Sequence, residues 1–463
     1  MERFTINFNH DEFIYEQLYE YIKERILNKD LQADDKLPSK RKLSHYLNIS
    51  ENTVQNAYDQ LSDEGYIYSI ERSGFYVEKI QGLHRRSKSF VKEEFPKKEK
   101  SFLYDFSYHG IDPGFIDMDS YRRMMRKAMD RTDLLAHSGD PQGLFELRQE
   151  IKGYLFSSRG VNVSVEDIII SSGSEYLYSL LCRILPKNTL YGLENPGYHR
   201  TALYFDQYQL DSYPISMDES GICIDELIDK KIDCVTITPS HQFPTGIIYP
   251  VNRRIKLLKW AASNNSYIIE DDYDSEFRYS GKPIPALKSF DQEDRVVYMG
   301  SFSKCFSPAL RISYMILPKK LKEIYDDIIQ FNACPVPSIT QYAFSLFMNE
   351  GYFNKHLNRM RTHYGKKRKL LVEALEQSGL NLQIQGMDSG LHFVCDFKDI
   401  QDEKAFVRSC REEGIRLYNL SHYIAGDKSH SSAKILIGYS IINMDHIIEG
   451  VQKITQIAQS FIQ

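Results

Sequence analysis

The segment Ser301-Phe302-Ser303-Lys304-Cys305-Phe306-Ser307-Pro308-Ala309-Leu310-Arg311 carries one lysine, serines three and one residues before it, and an arginine seven residues after it. A lysine that forms a Schiff base with an aldehyde cofactor needs hydroxyls and a guanidinium nearby to hold that cofactor's phosphate. One strand–loop junction can supply all of them here. A solvated lysine beside a surface arginine would have the same sequence, so the spacing alone leaves both readings open.

Other polar segments invite the same double reading. Ser171-Ser172-Gly173-Ser174 stands between an apolar run and a helical stretch, where free backbone N–H groups and the helix dipole favour a phosphate. An ordinary glycine turn with a serine cap looks alike. Glu270-Asp271-Asp272-Tyr273-Asp274 closes another apolar run. A carboxylate there can keep a pyridine nitrogen protonated, though such clusters also bind Mg²⁺ or cap loops. Phe243-Pro244-Thr245-Gly246 reads as a turn after a strand. Asn195-Pro196-Gly197-Tyr198-His199-Arg200 offers a ring for stacking and a cation for a carboxylate, as an exposed turn would too.

These segments need elements to position them. Residues 168–170, 234–237, 267–269 and 296–299 are short apolar runs that predict buried strands. Helical patterns such as 175–185 and 252–262 separate them. The alternation predicts an α/β fold, a mostly parallel sheet with helices on both faces, and ligands sit beyond the carboxyl ends of such strands.

At 463 residues with 42% apolar content the chain can build two or three domains. No apolar run approaches the roughly 18 residues that span a bilayer, and the first residues lack the apolar core of a signal peptide. Seven scattered cysteines, none in a C-x-x-C pair, read as reduced thiols of a cytoplasmic protein. The net charge is −5, and residues 1–80 hold ten Lys/Arg against fifteen Asp/Glu, so any DNA contact there must come from a local patch. Residues 81–100 hold seven Lys/Arg against three Glu and read as a solvated basic linker, with extra phosphate contact as a secondary role.

The first eighty residues have their own pattern. Ile14, Leu18, Ile22 and Ile26 recur every four, predicting an amphipathic helix over 12–27. Ser39 can cap a second helix to about Leu47, and Ser50 a third through Glu64, with Gly65 ending it. Residues 66–70 and 75–79 alternate around Arg72-Ser73-Gly74 as a hairpin wing. Three helices and a hairpin suit DNA binding or protein docking.

The motif words go further. Leu37-Pro38-Ser39-Lys40-Arg41-Lys42-Leu43, Ser50-Glu51-Asn52-Thr53-Val54-Gln55-Asn56-Ala57-Tyr58 and Ser73-Gly74-Phe75-Tyr76-Val77 resemble the GntR-type winged helix-turn-helix. Gly139-Asp140-Pro141-Gln142-Gly143, the Ser-Gly-Ser turn, Asn-Pro-Gly-Tyr, Pro-Thr-Gly, the acidic run and Ser-Phe-Ser-Lys, in that order, resemble the fold-type I aminotransferases. Together the chain resembles a MocR-type regulator.

That resemblance implies a winged helix-turn-helix over 1–80, a linker over 81–103, and an aminotransferase-like effector domain over 104–463. The effector domain would have a large part to about 345 and a small α+β part after it. It implies pyridoxal 5′-phosphate (PLP) as cofactor, with Lys304 as the Schiff-base lysine and Asp271 as partner of the ring nitrogen. Tyr273 would lie near the phenolic oxygen and Tyr198 on the ring face, while Ser174, Ser301, Ser303 and Arg311 would hold the phosphate. Arg200 would contact the effector's carboxylate. Lys40, Arg41, Glu51, Asn52 and Thr53, with Arg72, Ser73 and Gly74 of the wing, would meet a double-stranded DNA operator, bound by a homodimer. The expected function is a cytoplasmic transcription regulator sensing PLP, a small amine or an amino acid. The alternatives are an active aminotransferase with an appended head and a PLP-stabilised dimerisation scaffold.

Some positions depart from the pattern. Glu51 replaces an arginine, which implies a different half-site. Phe243 stands where the enzymes carry an asparagine, and Ser138 where many relatives have a tyrosine. A carboxylate-clamping arginine is missing near Lys434-Ile435-Leu436-Ile437-Gly438; Ser432 is expected in its place, with Lys434 the nearest cation. These departures lean towards regulation.

Overall fold

The computed structural model describes residues 4, 6, 8, 9, 13–80, 102–279, 284–329, 332–426 and 432–462. It divides into two compact units, residues 1–99 and 100–463. Most of the expected basic linker, residues 81–101, lies outside the described residues, as does Glu12 at the expected start of the first helix.

In the first unit, helices α1 (Ile14–Leu27), α2 (Lys40–Leu47) and α3 (Glu51–Asp63) precede strands β1 (Ile67–Ile70) and β2 (Gly74–Val77). Leu18, Ile22 and Ile26 of α1 pack with Leu43, Val54, Tyr58 and Leu61 in one core. Both serine caps form: Ser39 Oγ accepts from Lys42 N at 3.3 Å and Ser50 Oγ from Thr53 N at 3.0 Å. Gly65 takes φ +74°, the left-handed turn that releases the chain from α3. Strands β1 and β2 pair antiparallel, Ile67 opposite Val77. Because an N-cap side chain satisfies a helix donor that otherwise has no partner, Ser50→Ala is expected to destabilise this unit by about 1 kcal/mol. A lowered urea midpoint for the unit's helical signal would show it.

The second unit is built on an eight-stranded sheet. Helix α4 (Phe145–Arg159) precedes β3 (Ile168–Ser171), α5 (Ser174–Ile184), β4 (Tyr191–Asn195), α6 (His199–Gln207), β5 (Ser212–Asp218) and β6 (Gly221–Ile222). Then come β7 (Cys234–Ile237), α7 (Val251–Ser263), β8 (Tyr267–Asp272), β9 (Val296–Ser301) and β10 (Ser313–Ile316). The spatial order is β3-β10-β9-β8-β7-β4-β5-β6. Strands β9, β8, β7, β4 and β5 run parallel, while β10 and β6 are antiparallel to their neighbours. Every residue of β3, β7 and β10 is buried, which is why residues 168–170 and 234–237 read as short apolar runs. Separate apolar clusters cover the sheet: Leu177, Leu181 and Phe205 pack with Ile269 and Met299, and Leu257 and Trp260 with Val235 and Ile268.

After helix α8 (Tyr352–Glu376), strands β11 (Leu382–Gln385), β12 (His392–Phe397), β13 (Tyr418–Asn419) and β14 (Ala433–Gly438) form a second, antiparallel sheet in the order β11-β12-β14-β13. This gives the expected α/β domain with a mostly parallel sheet and a small α+β part.

Candidate functional site

The carboxyl ends of the parallel strands surround a cavity of about 360 Å³ lined by Tyr198, Asp271, Tyr273, Ser303, Lys304 and Arg311, among others. Ser174 and Ser301 line it too, so eight separated candidates reach one space; Arg200 is not in its lining. Each arrives from a strand end: Asp271 from β8, Ser301 from β9, Ser174 just after β3, and Tyr198 between β4 and α6.

At one end lies an anion cup. Helix α5 starts at Ser174 after Gly173, whose side makes no cap, so the first N–H groups of α5 face the cavity end without a side-chain acceptor. Ser301 Oγ donates to Ser303 Oγ at 2.8 Å and accepts from Ser303 N at 3.1 Å, fixing both hydroxyls. The guanidinium of Arg311 closes the cup. A Cβ on Gly173 would lie 2.1 Å from Arg311 Nη2, so only glycine, here at φ +83°, lets the arginine approach.

Lys304 stands in the middle. Its Nζ donates to Tyr108 O at 2.5 Å and lies 5.7 Å from the centre of the Tyr108 ring. Burial pushes its pKa down to about 8, with the Asp274 carboxylate opposing the shift. The amine is thus close to its neutral, nucleophilic form. Beneath it, His241 Nδ1 lies 2.9 Å from Asp274 Oδ2 and 3.1 Å from the hydroxyl of Tyr273.

Asp271 lies at the other end. Burial, then the neighbouring carboxylates of Asp272, Glu194 and Asp274, push its pKa up to about 7. A protonated ring nitrogen would relieve that repulsion. The residues present therefore fit an aldehyde-bearing phosphorylated pyridine: an amine, an anion cup and a buried carboxylate, in one cavity of suitable size. A neighbouring cavity of about 440 Å³ shares Tyr198, Thr238, Phe243 and Asp271 with it.

The wall around Lys304 is aromatic. Tyr108, Phe243, Tyr423, Leu420, Val394 and Leu436 form one buried cluster, against which Tyr198, Tyr273 and Tyr418 pack. Here the expectation for Ser432 is corrected. Ser432 Oγ donates to Asp396 Oδ1 at 2.6 Å, and Lys434 sits opposite Asp396 in the strand register. The residue of β14 that reaches the aromatic wall is Leu436, two positions beyond Lys434 on the same face. Ser138 is exposed, and Arg200 is exposed in the first turn of α6, where its charge reaches Tyr198 and His109. Sequence reasoning missed Tyr108, Thr238, His241, Asp274 and Leu436 as site residues. Asp274 lay inside the quoted acidic run and Leu436 inside the quoted segment 434–438; Tyr108, Thr238 and His241 stood outside every quoted segment.

In the first unit, Lys40 at the start of α2 links α3 and β2. Its Nζ hydrogen-bonds Gln55 Oε1 of α3 and lies 5.6 Å over the Phe75 ring of β2. Arg41, Glu51, Asn52 and Arg72 are exposed. Thr53 is half-buried, its hydroxyl 2.8 Å from Ser50 Oγ, and Ser73 Oγ lies 2.6 Å from the Tyr76 hydroxyl. Gly74, at φ +117°, opens β2 next to Arg72 at the wing's tip.

Fold and site together define an aminotransferase-like domain on a chain that also carries a winged helix-turn-helix. Residues 116–450 match the family model of aminotransferase class I and II, and residues 14–77 that of bacterial regulatory proteins of the gntR family. The chain is 38% identical over 446 residues to the uncharacterized HTH-type transcriptional regulator YdeL of Bacillus subtilis, covering 95% of this chain and 96% of that one. It is 31% identical over 417 residues to the HTH-type pyridoxine biosynthesis transcriptional regulator PdxR of Corynebacterium glutamicum, covering 89% and 88%. In fold it is similar to a kynurenine aminotransferase of Pyrococcus horikoshii, with a TM-score of 0.70 and 23% identity over 79% of this chain and 92% of that one. The chain belongs to the GntR/MocR-type transcriptional regulators, which join a gntR-family head to a class I and II aminotransferase domain. Among the described residues no helix is long and apolar enough to cross a membrane.

Proposed function

We propose that this regulator binds PLP at Lys304 and that PLP itself is the signal it reads. The observation that carries the reading is the meeting of Lys304, the anion cup and Asp271 in one cavity of a chain with a gntR-family head. When bound, PLP supplies an aldehyde that captures amines and a ring that withdraws electrons. The chain's own residues do the rest: Lys304 offers the amine, Arg311 and the serines seat the phosphate, Tyr198 covers the ring, and the Asp274–His241 pair orients the Tyr273 hydroxyl.

PLP is preferred over an amino acid as effector for a reason of charge. Lys304 and Arg311 are the cations in the cavity's described lining. With both engaged by the cofactor, a second ligand's carboxylate is left Arg200, outside that lining. A small amine exchanging at Lys304 is the second reading, favoured by the aromatic wall that would receive its chain. Phe243 brings no hydrogen-bonding side chain to the cavity, which favours sensing over turnover.

The protein then acts in the cytoplasm as a homodimer whose two heads bind paired half-sites. Helix α3 enters the major groove, with Arg41 and the wing at Arg72 on phosphates. Loading shifts the dimer between two arrangements, and linked heads turn that shift into a change of affinity. An electrophoretic shift on the DNA upstream of the gene, with and without PLP, tests this. The expected result is a PLP-dependent change in affinity or footprint; identical binding in both would sink the sensing role.

A further inference from the structure

The arginine of the anion cup is already paired with an anion. Glu175 occupies the first turn of α5, one residue after Ser174. Its Oε1 lies 2.5 Å from Arg311 Nη2, and its Oε2 lies 3.5 Å from the hydroxyl of Tyr204 on α6. The same Arg311 nitrogen donates to Ser172 O at 3.4 Å, so the guanidinium lies across the cup with its charge turned to the carboxylate. Helix position favours the same arrangement, since a negative side chain at a helix N-terminus is stabilised by the dipole.

We propose that Glu175 is a built-in competitor for the cofactor's phosphate, which keeps PLP affinity low enough for occupancy to follow the free PLP concentration. The proposal rests on the PLP reading above and adds how the site is tuned. The group arriving at the cup carries between one and two negative charges and needs Arg311 and the N–H groups of α5. The carboxylate must give up Arg311 when it arrives, and it stays within a few ångströms of the new charge because its backbone is part of the cup. The pair is half-exposed, with 44% of the Arg311 and 49% of the Glu175 side chain accessible, so breaking it is cheap. Phosphate therefore wins, but against a repulsion that a neutral residue would not exert. The released carboxylate keeps its contact with Tyr204. That residue lies on α6, the helix that follows Tyr198 and carries Arg200, so cup loading is felt where the ring is covered.

The test titrates the full-length protein with PLP and, separately, with pyridoxal, which has the aldehyde but no phosphate, following the absorbance gained on linkage to Lys304. Glu175→Gln keeps the size and removes the charge. It is expected to tighten PLP about tenfold at low salt, leave pyridoxal unchanged, and show a smaller gain at high salt. The PLP concentration giving half of the DNA-binding response should fall by the same factor. Unchanged or weaker PLP binding overturns the proposal, and so does an equal shift for PLP and pyridoxal, which would mark a general change in the site. Failure of the cofactor reading looks different: the wild-type protein would then gain no Lys304-dependent absorbance with either compound, and the proposal would fall with it.

Discussion

Lys304→Ala is expected to abolish both the absorbance gained with PLP and the PLP-dependent change in DNA binding, while DNA binding without PLP persists. Lys304 is the one amine in the cavity's described lining, and the cavity wall around it is aromatic. Lys304→Arg makes the sharper control. It keeps a cation near Tyr108 O but cannot act as a nucleophile, so a response that survives in it would assign the role to charge rather than to linkage. The wild-type protein should also show the amine's pKa of about 8 in the pH dependence of capture. The reactive form is the neutral one, so the rate rises with pH. From a pKa of about 8 the neutral fraction is about 1% at pH 6 and about half at pH 8, giving a roughly fiftyfold faster capture before the profile levels off. Stopped-flow absorbance at low PLP measures it. An amine at the ordinary lysine value would still be climbing steeply at pH 9, and that profile would contradict the burial argument.

The parts of this protein that were legible in its sequence are those written in contiguous stretches. Ser39 and Ser50 announce α2 and α3 because a cap is a local interaction, and both caps form. Ser301, Ser303, Lys304 and Arg311 could be read together because the last residue of β9 and the segment after it carry them all. Strands β3, β7, β8 and β9 were legible as apolar runs, but not their directions, and β4, β5 and β10 were not read as strands. Residues 168–171 pair antiparallel with 313–316, and 221–222 adds an antiparallel edge, neither of which periodicity encodes. Tyr108 was invisible because it reaches Lys304 across 196 positions, with its backbone carbonyl accepting from the amine and its ring beside it. The misplacement at Ser432 is a register problem. Residues 434 and 436 share one face of β14, Ser432 lies just before its start, and only pairing with β12 reveals that Leu436 is the one level with the aromatic wall. Glu175 was counted as a helix former, and its pairing with Arg311 depends on a loop 136 residues away.

Arg159→Met is expected to destabilise the second unit by about 3–5 kcal/mol, because it strips the partner from a buried carboxylate. Only 4% of the Arg159 side chain and 1% of the Asp272 side chain are accessible. Arg159 Nε donates to Asp272 Oδ2 at 2.7 Å and Nη2 to Ser240 Oγ at 2.6 Å, and Nη1 bonds Ile284 O. Asp272 has little else. The Tyr298 hydroxyl donates to the same Oδ2 at 2.5 Å, and Oδ1 is buried with no hydrogen-bond partner among the described residues. Methionine fills much of the arginine's volume, so the loss would be one of charge and hydrogen bonds rather than of packing. Urea denaturation of the full-length protein at pH 8, followed through the second unit's transition, reads the size; a loss under about 1 kcal/mol would show that water or relaxation replaces the arginine. The consequence reaches the site through one peptide bond. Asp271 is already held up to about 7 by burial and by Asp272. Without Arg159 the charge on Asp272 acts on it undiminished, so a folded Arg159→Met protein should hold Asp271 protonated further into the alkaline range. The strand β8 thus depends on an arginine from α4 twice, once to stay folded and once to keep Asp271 available to a ring nitrogen.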